Sequence, residues 1–329
     1  MSDLLSALQD SNELRPVAYR LLSSPALNRS RWYRWLYRRR IRSVQRSGGS
    51  FPRVVAIEGT NRCNAACVMC GHRTMRRAQG VMAWPLYQRL IAQLRAAPVE
   101  TVLLSGFGEP LCDPDLVRRV AAAKAAGLPR VGIVTNAALL APLAARALAA
   151  AGLDLVHVSL DGASASTYGR LRPGLDFDIV TANLDYLLGL RPRPAVHVQM
   201  TLFKENRGDA AAIRRRWGGR ADRLIFRQAQ DWAGQVEIPR PDYTPHLAAR
   251  QAPPPCRYLW DQLNIYWDGV VPACCLDYEA ELTIGDATAQ SLPGIWRGDA
   301  LGRIRELHDR GGRDRIPLCG NCRYFSVWW

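Results

Sequence analysis

From residue 53 onward, short β-branched runs alternate with stretches rich in alanine and leucine, and this alternation restricts the fold more than any other feature. Six runs read as strands: VVAIEGT (54 to 60), TVLLSG (101 to 106), RVGIVTN (130 to 136), LVHVSLDG (155 to 162), AVHVQMTLF (195 to 203) and RLIFRQA (223 to 229). The helical stretches between them, such as DPDLVRRVAAAKAAG and LAPLAARALAAAG, end at a glycine stop. Near-continuous apolar strands joined by crossover helices are those buried on both faces. The pattern therefore predicts an α/β fold, a sheet curved into a partial (β/α)6 barrel with helices outside. In such sheets chemistry gathers at the C-terminal strand ends. Those ends carry the unusual residues here: CNAACVMC, GFGEP, TNA, SLDGAS, LFKEN and RQAQD.

With 329 residues, 48% of them hydrophobic, the chain can bury one large core and carry a small appendage. The sequence divides into a basic N-terminal helical extension (1–52), the barrel core (53–235), a linker (236–255) and a cysteine-bearing C-terminal domain (256–329). The linker contains the proline-rich TPHLAARQAPPP. No secretory signal and no apolar run of about 18 residues is visible. Nine cysteines without an export signal fit a reducing compartment, so a cytoplasmic protein with no membrane span is expected. The net charge of +15 is carried by arginine, since Lys124 and Lys204 are the only lysines. Its densest stretch, RSRWYRWLYRRRIRSVQR (29 to 46), has the spacing of an amphipathic helix. Such a helix can grip nucleic acid, anionic lipid or a phosphorylated substrate. The plainer expectation is a solvated helix pinned to the barrel by its tryptophans, and nucleic acid is not expected as a partner.

CNAACVMC places Cys63, Cys67 and Cys70 in one loop after the first strand. Three thiolates at this spacing can wrap a four-iron cluster and leave its fourth iron open to a substrate or cofactor; the competing reading is a zinc site. The motif resembles that of the radical S-adenosylmethionine superfamily, with Met69 before the last cysteine. The resemblance, which covers roughly residues 53 to 235, implies that these three cysteines bind a [4Fe-4S] cluster. Its open iron would chelate S-adenosylmethionine, which an electron cleaves to methionine and a 5'-deoxyadenosyl radical. GFGEP is similar to the family's Gly-Gly-Glu-Pro motif, with Phe107 in place of one glycine and Gly106 and Gly108 kept. Glu109 would then accept from the cofactor's ammonium. Asn136, Ser159 and Asp161 stand where relatives contact ribose and carboxylate.

The C-terminal part holds Cys256, Cys274, adjacent Cys275, Cys319 and Cys322. The order resembles the short auxiliary-cluster domain called twitch, an abbreviated SPASM domain. YWDGVVPACCLDYEAELTIGDATAQSLPGIW carries its hairpin, paired cysteines, GD turn and helix start. The resemblance implies one auxiliary [4Fe-4S] cluster on Cys256, Cys274, Cys319 and Cys322; a structural zinc is the rival occupant. Cys275 and Cys112 are left over, either as small buried hydrophobes or as hydrogen-atom donors to a substrate radical.

Relatives with this short domain oxidise or epimerise aminocyclitols and amino sugars in antibiotic pathways. The expected reaction is therefore hydrogen abstraction from a small polar natural-product intermediate, most directly dehydrogenation of an alcohol carbon through the auxiliary cluster. The alternatives are a radical epimerase, a ribosomal-peptide-modifying enzyme, and an iron-sulfur electron carrier or maturation scaffold. The first 50 residues are too short for the leader-binding module usual in peptide modification, and GFGEP and SLDG argue against a carrier. A reductant such as flavodoxin or ferredoxin is implied as a partner, together with the small-molecule substrate.

Overall fold

The computed structural model describes residues 31–47, 50–238 and 255–322. Residues 1–30, 48–49, positions 239–254 of the proline-rich linker and the end from 323 onward, YFSVWW included, lie outside them. All six expected strands form: β1 (Val54–Ile57), β2 (Thr101–Leu104), β3 (Val131–Thr135), β4 (Leu155–Ser159), β5 (Ala195–Leu202) and β6 (Arg223–Gln228). A seventh, β7 (Gln262–Ile265), comes from the C-terminal part and pairs in parallel with β1, Val54 opposite Gln262 and Ile57 opposite Ile265. The order is β6-β5-β4-β3-β2-β1-β7, a parallel sheet. Four residues carry no readable alternation, which is why QLNI was not among the expected strands.

Helices α2 (Trp84–Arg95), α3 (Leu116–Ala125), α4 (Pro142–Ala150), α5 (Ala165–Leu171), α6 (Phe177–Gly189) and α7 (Asp209–Trp217) fill the crossovers. The glycine stops are real: Gly127 and Gly152 follow α3 and α4 at φ +80° and +86°, where other residues are strained. The strands are not buried evenly on both faces. Val55, Ile57, Val102, Leu104, Val156, Val158, Val196 and Val198 are sealed in the core. Their alternates Ala56, Leu103, His157, Ser159, His197 and Gln199 stay half-buried. This half-buried face is the inner one of a partial barrel, whose strand order does not close on itself.

After β7 come the antiparallel pair β8 (Val270–Pro272) and β9 (Thr283–Asp286), then α9 (Leu292–Arg297), α10 (Asp299–Asp309) and α11 (Pro317–Asn321); the short α8 (Tyr258–Asp261) precedes β7. Ser291 caps α9 through the Gly294 N–H at 3.2 Å.

The arginine-rich helix α1 (Arg31–Ser47) forms, but its tryptophans do not pin it. Trp32 and Trp35 are exposed, at 58% and 52%, while Ile41 and Val44 are buried. Each buried residue lies nine positions after an exposed tryptophan, which at about 100° per residue is the opposite helix face. Gln45 adds a hydrogen bond to Asp309 at 2.8 Å. Among the described residues no helix is long and apolar enough to cross a membrane.

Candidate functional site

The loop after β1 is fixed by its own polar side chains. Thr60 Oγ1 donates to Gly80 O at 2.7 Å, and Asn61 both donates to Ala78 O and accepts from the Gly80 N–H. The Ala66 and Val68 N–H groups donate to Pro173 O and Leu171 O at 3.0 Å, tying the cysteine turn to the end of α5. Cys63, Cys67 and Cys70 are thereby gathered, each within electrostatic reach of another. Burial and neighbouring thiols push Cys63 up to about 12 and Cys70 up to about 11, and burial also raises Cys67. Three half-buried thiols whose pKa values are raised in this way ionise only when a cation arrives to share their charge. That donor set fits an iron-sulfur cluster. The His72 N–H points at Cys70 Sγ at 3.5 Å, and Arg172 Nη1 at Cys67 Sγ at 3.6 Å.

GFGEP lies against this loop. A Cβ on Gly106 would stand 2.5 Å from the Glu58 side chain, and one on Gly108 would stand 2.5 Å from Arg62 O and 2.6 Å from Thr60 O. Both positions therefore need glycine for close approach. Glu109 is buried; its Oε1 accepts from Thr135 Oγ1 at 2.6 Å and the Leu111 N–H at 3.2 Å, and its Oε2 from the Asn136 N–H at 2.8 Å. A carboxylate offers about four lone-pair sites, so one on Oε2 is left for a further donor. Burial raises the Glu109 pKa above its ordinary value, which favours a cationic donor there.

The other expected cofactor contacts divide. Asn136 is held by Asn64, 2.8 Å from Nδ2 to Oδ1, and sits between GFGEP and the cysteine loop. Ser159 faces the lumen at the end of β4, level with Gln199 of β5. Asp161 does not face open space: its Oδ2 takes Arg172 Nε at 2.7 Å and Nη2 at 2.6 Å, and its Oδ1 takes the Thr201 N–H at 2.6 Å. Asp161 thus holds the guanidinium that reaches Cys67. Arg172 was missed in the sequence, where an arginine in a chain of arginines gives no signal.

Cys256, Cys274, Cys319 and Cys322 also come together, each within electrostatic reach of Cys256. Burial and neighbouring thiols push Cys319 up to about 12 and raise Cys256 further. Buried Arg313 braces the last turn, donating to Cys319 O at 2.8 Å and Cys322 O at 3.2 Å. The Cys256 N–H donates to His308 Nδ1 at 3.1 Å, an imidazole held at about 4 by burial and therefore neutral. Four such thiols fit a closed iron-sulfur site. Among the described residues no three His, Cys, Asp or Glu side chains close around a single-ion position. The Cys275 thiol lies beside that of Cys274 and raises its pKa. Cys112 lies at the other site, with its thiol at the Asn64 backbone and near Glu109.

An aromatic wedge joins the two sites. The Phe107 ring lies 5.3 Å from Trp232, 6.0 Å from Tyr266 and 5.9 Å from Tyr278, centroid to centroid. Arg77 stacks 3.8 Å over Tyr266, donates to Tyr278 O at 2.6 Å and pairs with buried Glu58 at 3.2 Å. Glu58 Oε2 in turn accepts the Phe107 N–H at 3.0 Å. The residue standing where the family motif has glycine is thus among those that meet the C-terminal part.

Residues 57–216 match the family model described as the Radical SAM superfamily, and residues 256–323 the one described as an iron-sulfur cluster-binding domain. An AdoMet-dependent heme synthase of Methanosarcina barkeri is 36% identical over 139 residues, 41% of this chain and 39% of the relative. A GTP 3',8-cyclase of a Synechococcus strain is 37% identical over 121 residues, 36% of this chain and 34% of the relative. The chain thus spans well under two thirds of these relatives' length. Among solved structures, BtrN in complex with AdoMet and 2-DOIA superposes with a TM-score of 0.60 at 17% identity, covering 85% of this chain and 96% of that one. SuiB of Streptococcus suis bound to precursor peptide SuiA gives 0.65 at 17% identity, covering 81% and 70%. These likenesses are of fold.

Proposed function

Because the chain belongs to the radical SAM superfamily and carries a C-terminal SPASM domain, we propose that it dehydrogenates an alcohol carbon of a small polar molecule bound in the barrel lumen. Bound S-adenosylmethionine supplies a hydrogen-abstracting radical, and an auxiliary cluster supplies an electron acceptor. The protein's own part is to position and to exclude water. Glu109 offers its remaining lone pair to the ammonium, while Asp161 holds Arg172 against Cys67. Ser159, Gln199, His157 and His197 line one wall of the lumen on adjacent strands, polar groups suited to orienting hydroxyls. Burial and the neighbouring His197, Arg227 and Arg223 hold His157 at about 3; it meets a substrate as a neutral imidazole.

The gathering of Cys256, Cys274, Cys319 and Cys322 behind the Phe107 wedge carries this reading, because a closed site suits electron transfer and not substrate ligation. Cys319→Ala with Cys322→Ala should abolish carbonyl product while some cofactor cleavage survives. The second reading is epimerisation, favoured by the Cys112 thiol beside Glu109. In deuterated water it would place one deuterium at an inverted carbon without a carbonyl product, and that result would overturn dehydrogenation.

A further inference from the structure

Beside the three-cysteine loop one buried polar atom has nothing to bond. Tyr168 on α5 is 0% exposed, and its phenol oxygen has no hydrogen-bond partner among the described residues. Leaving a buried hydroxyl unmet costs about 1–3 kcal/mol, so such groups ordinarily have an acceptor. The ring is not free to swing away. It packs against Phe177 with centroids 5.6 Å apart, and the Tyr168 N–H and carbonyl bond Ser164 O at 2.9 Å and the Arg172 N–H at 2.8 Å. A side chain on Gly162 would stand 2.7 Å from Tyr168 N, so SLDG and α5 are locked together.

The charged and ionisable groups within electrostatic reach of the hydroxyl are Arg172, Asp161, Cys67 and Glu109. Arg172 can only donate. Asp161 is taken by Arg172 and the Thr201 N–H, and Glu109, which keeps one lone pair, accepts from Thr135, Leu111 and Asn136 and not from the phenol. None of them bonds the phenol. We propose that the Tyr168 hydroxyl donates to an anionic acceptor that arrives with the cofactors, either a sulfur at the Cys67 corner of the cluster or the carboxylate of S-adenosylmethionine. This rests on the proposed reading of the three-cysteine site, and it makes Tyr168 a further cofactor-binding residue.

Tyr168→Phe removes only the hydroxyl from the full chain. The iron-free variant should be at least as thermally stable as the iron-free parent, because an unmet polar group has gone. After anaerobic reconstitution, a sulfur acceptor predicts a lower midpoint potential of the N-terminal cluster before S-adenosylmethionine is added. A carboxylate acceptor predicts an unchanged potential and about tenfold weaker S-adenosylmethionine binding, the loss of one charge-assisted bond. An iron-free variant that is less stable would overturn the inference, since the hydroxyl would then be bonded within the protein. Unchanged potential together with unchanged affinity would also overturn it, leaving a phenol that bonds buried water. Failure of the parent chain to bind a cluster on Cys63, Cys67 and Cys70 would instead refute the reading of the site, separately from any effect of the variant.

Discussion

Glu109→Gln tests the cofactor site with the least change of shape. In the parent, three donors already use Glu109: Thr135 and Leu111 on Oε1, Asn136 on Oε2. An amide has one oxygen, so its NH2 group must face either the Leu111 or the Asn136 backbone N–H. Thr135 can turn its hydroxyl to accept, but a backbone N–H cannot. One buried N–H is left unmet, which costs about 1–3 kcal/mol of stability before any cofactor binds. The anionic partner of the ammonium is lost as well, a hydrogen bond to a charged group worth about 1.5–3 kcal/mol. Binding of S-adenosylmethionine should therefore weaken by about 10-fold to 150-fold. The assay is titration of the reduced N-terminal cluster, followed by its paramagnetic signal, with iron content matched between proteins. The pH dependence has a definite sign. Burial raises the Glu109 pKa from its ordinary 4.5, so its contribution to the cofactor-free fold is full below that value and is lost as pH rises through the raised one. The ammonium needs the ionised form, so affinity should fall as pH drops into that window in the parent, and not in the glutamine variant. Affinity within twofold of the parent at matched iron content would refute the assignment of GFGEP.

Metal analysis of anaerobically reconstituted protein should find about eight irons, and about four after Cys63, Cys67 and Cys70 are all changed to Ala; zinc in the C-terminal site would refute the two-cluster reading. Asp261→Asn, measured by denaturant unfolding, should cost about 1–3 kcal/mol by removing the buried carboxylate that Arg53 and Arg257 share. Burial pushes the Asp261 pKa up, but those guanidiniums hold it below the ordinary 3.8, so its contribution should be present above about pH 4 and be lost as pH falls through the lower value. If the arginines of α1 hold a phosphorylated substrate, KM should rise with salt over a Debye length of about 8–10 Å; a salt-independent KM would leave the helix a structural role.

The parts of the site legible in the sequence were those written as contiguous motifs. CNAACVMC and GFGEP carry their geometry in spacing and in glycines that allow no side chain, and the six strands carry theirs in β-branched runs. Asp161 was legible as a site position but not in its task, because its partner Arg172 lies eleven residues on, beyond a helix. Arg77, Tyr266 and Tyr278 gave no signal, for their meeting depends on how the C-terminal part docks. The exposed face of α1 was misjudged because tryptophan was weighed for its size, whereas the nine-residue offset to Ile41 and Val44 decides which face packs.

The pairing of β7 with β1 has a practical outcome for anyone dissecting this chain. A truncation at the linker looks like a clean way to isolate a minimal cofactor-cleaving core, yet it would strip four ladder positions from β1. The uncovered edge would belong to the strand that launches CNAACVMC, and unpaired apolar edges recruit other chains. Such a fragment should aggregate rather than behave as a simpler enzyme. Chimeras that exchange auxiliary domains between relatives should accordingly keep Gln262–Ile265 with the barrel and place the junction after it, so that the graft begins at a turn and not in the middle of a sheet.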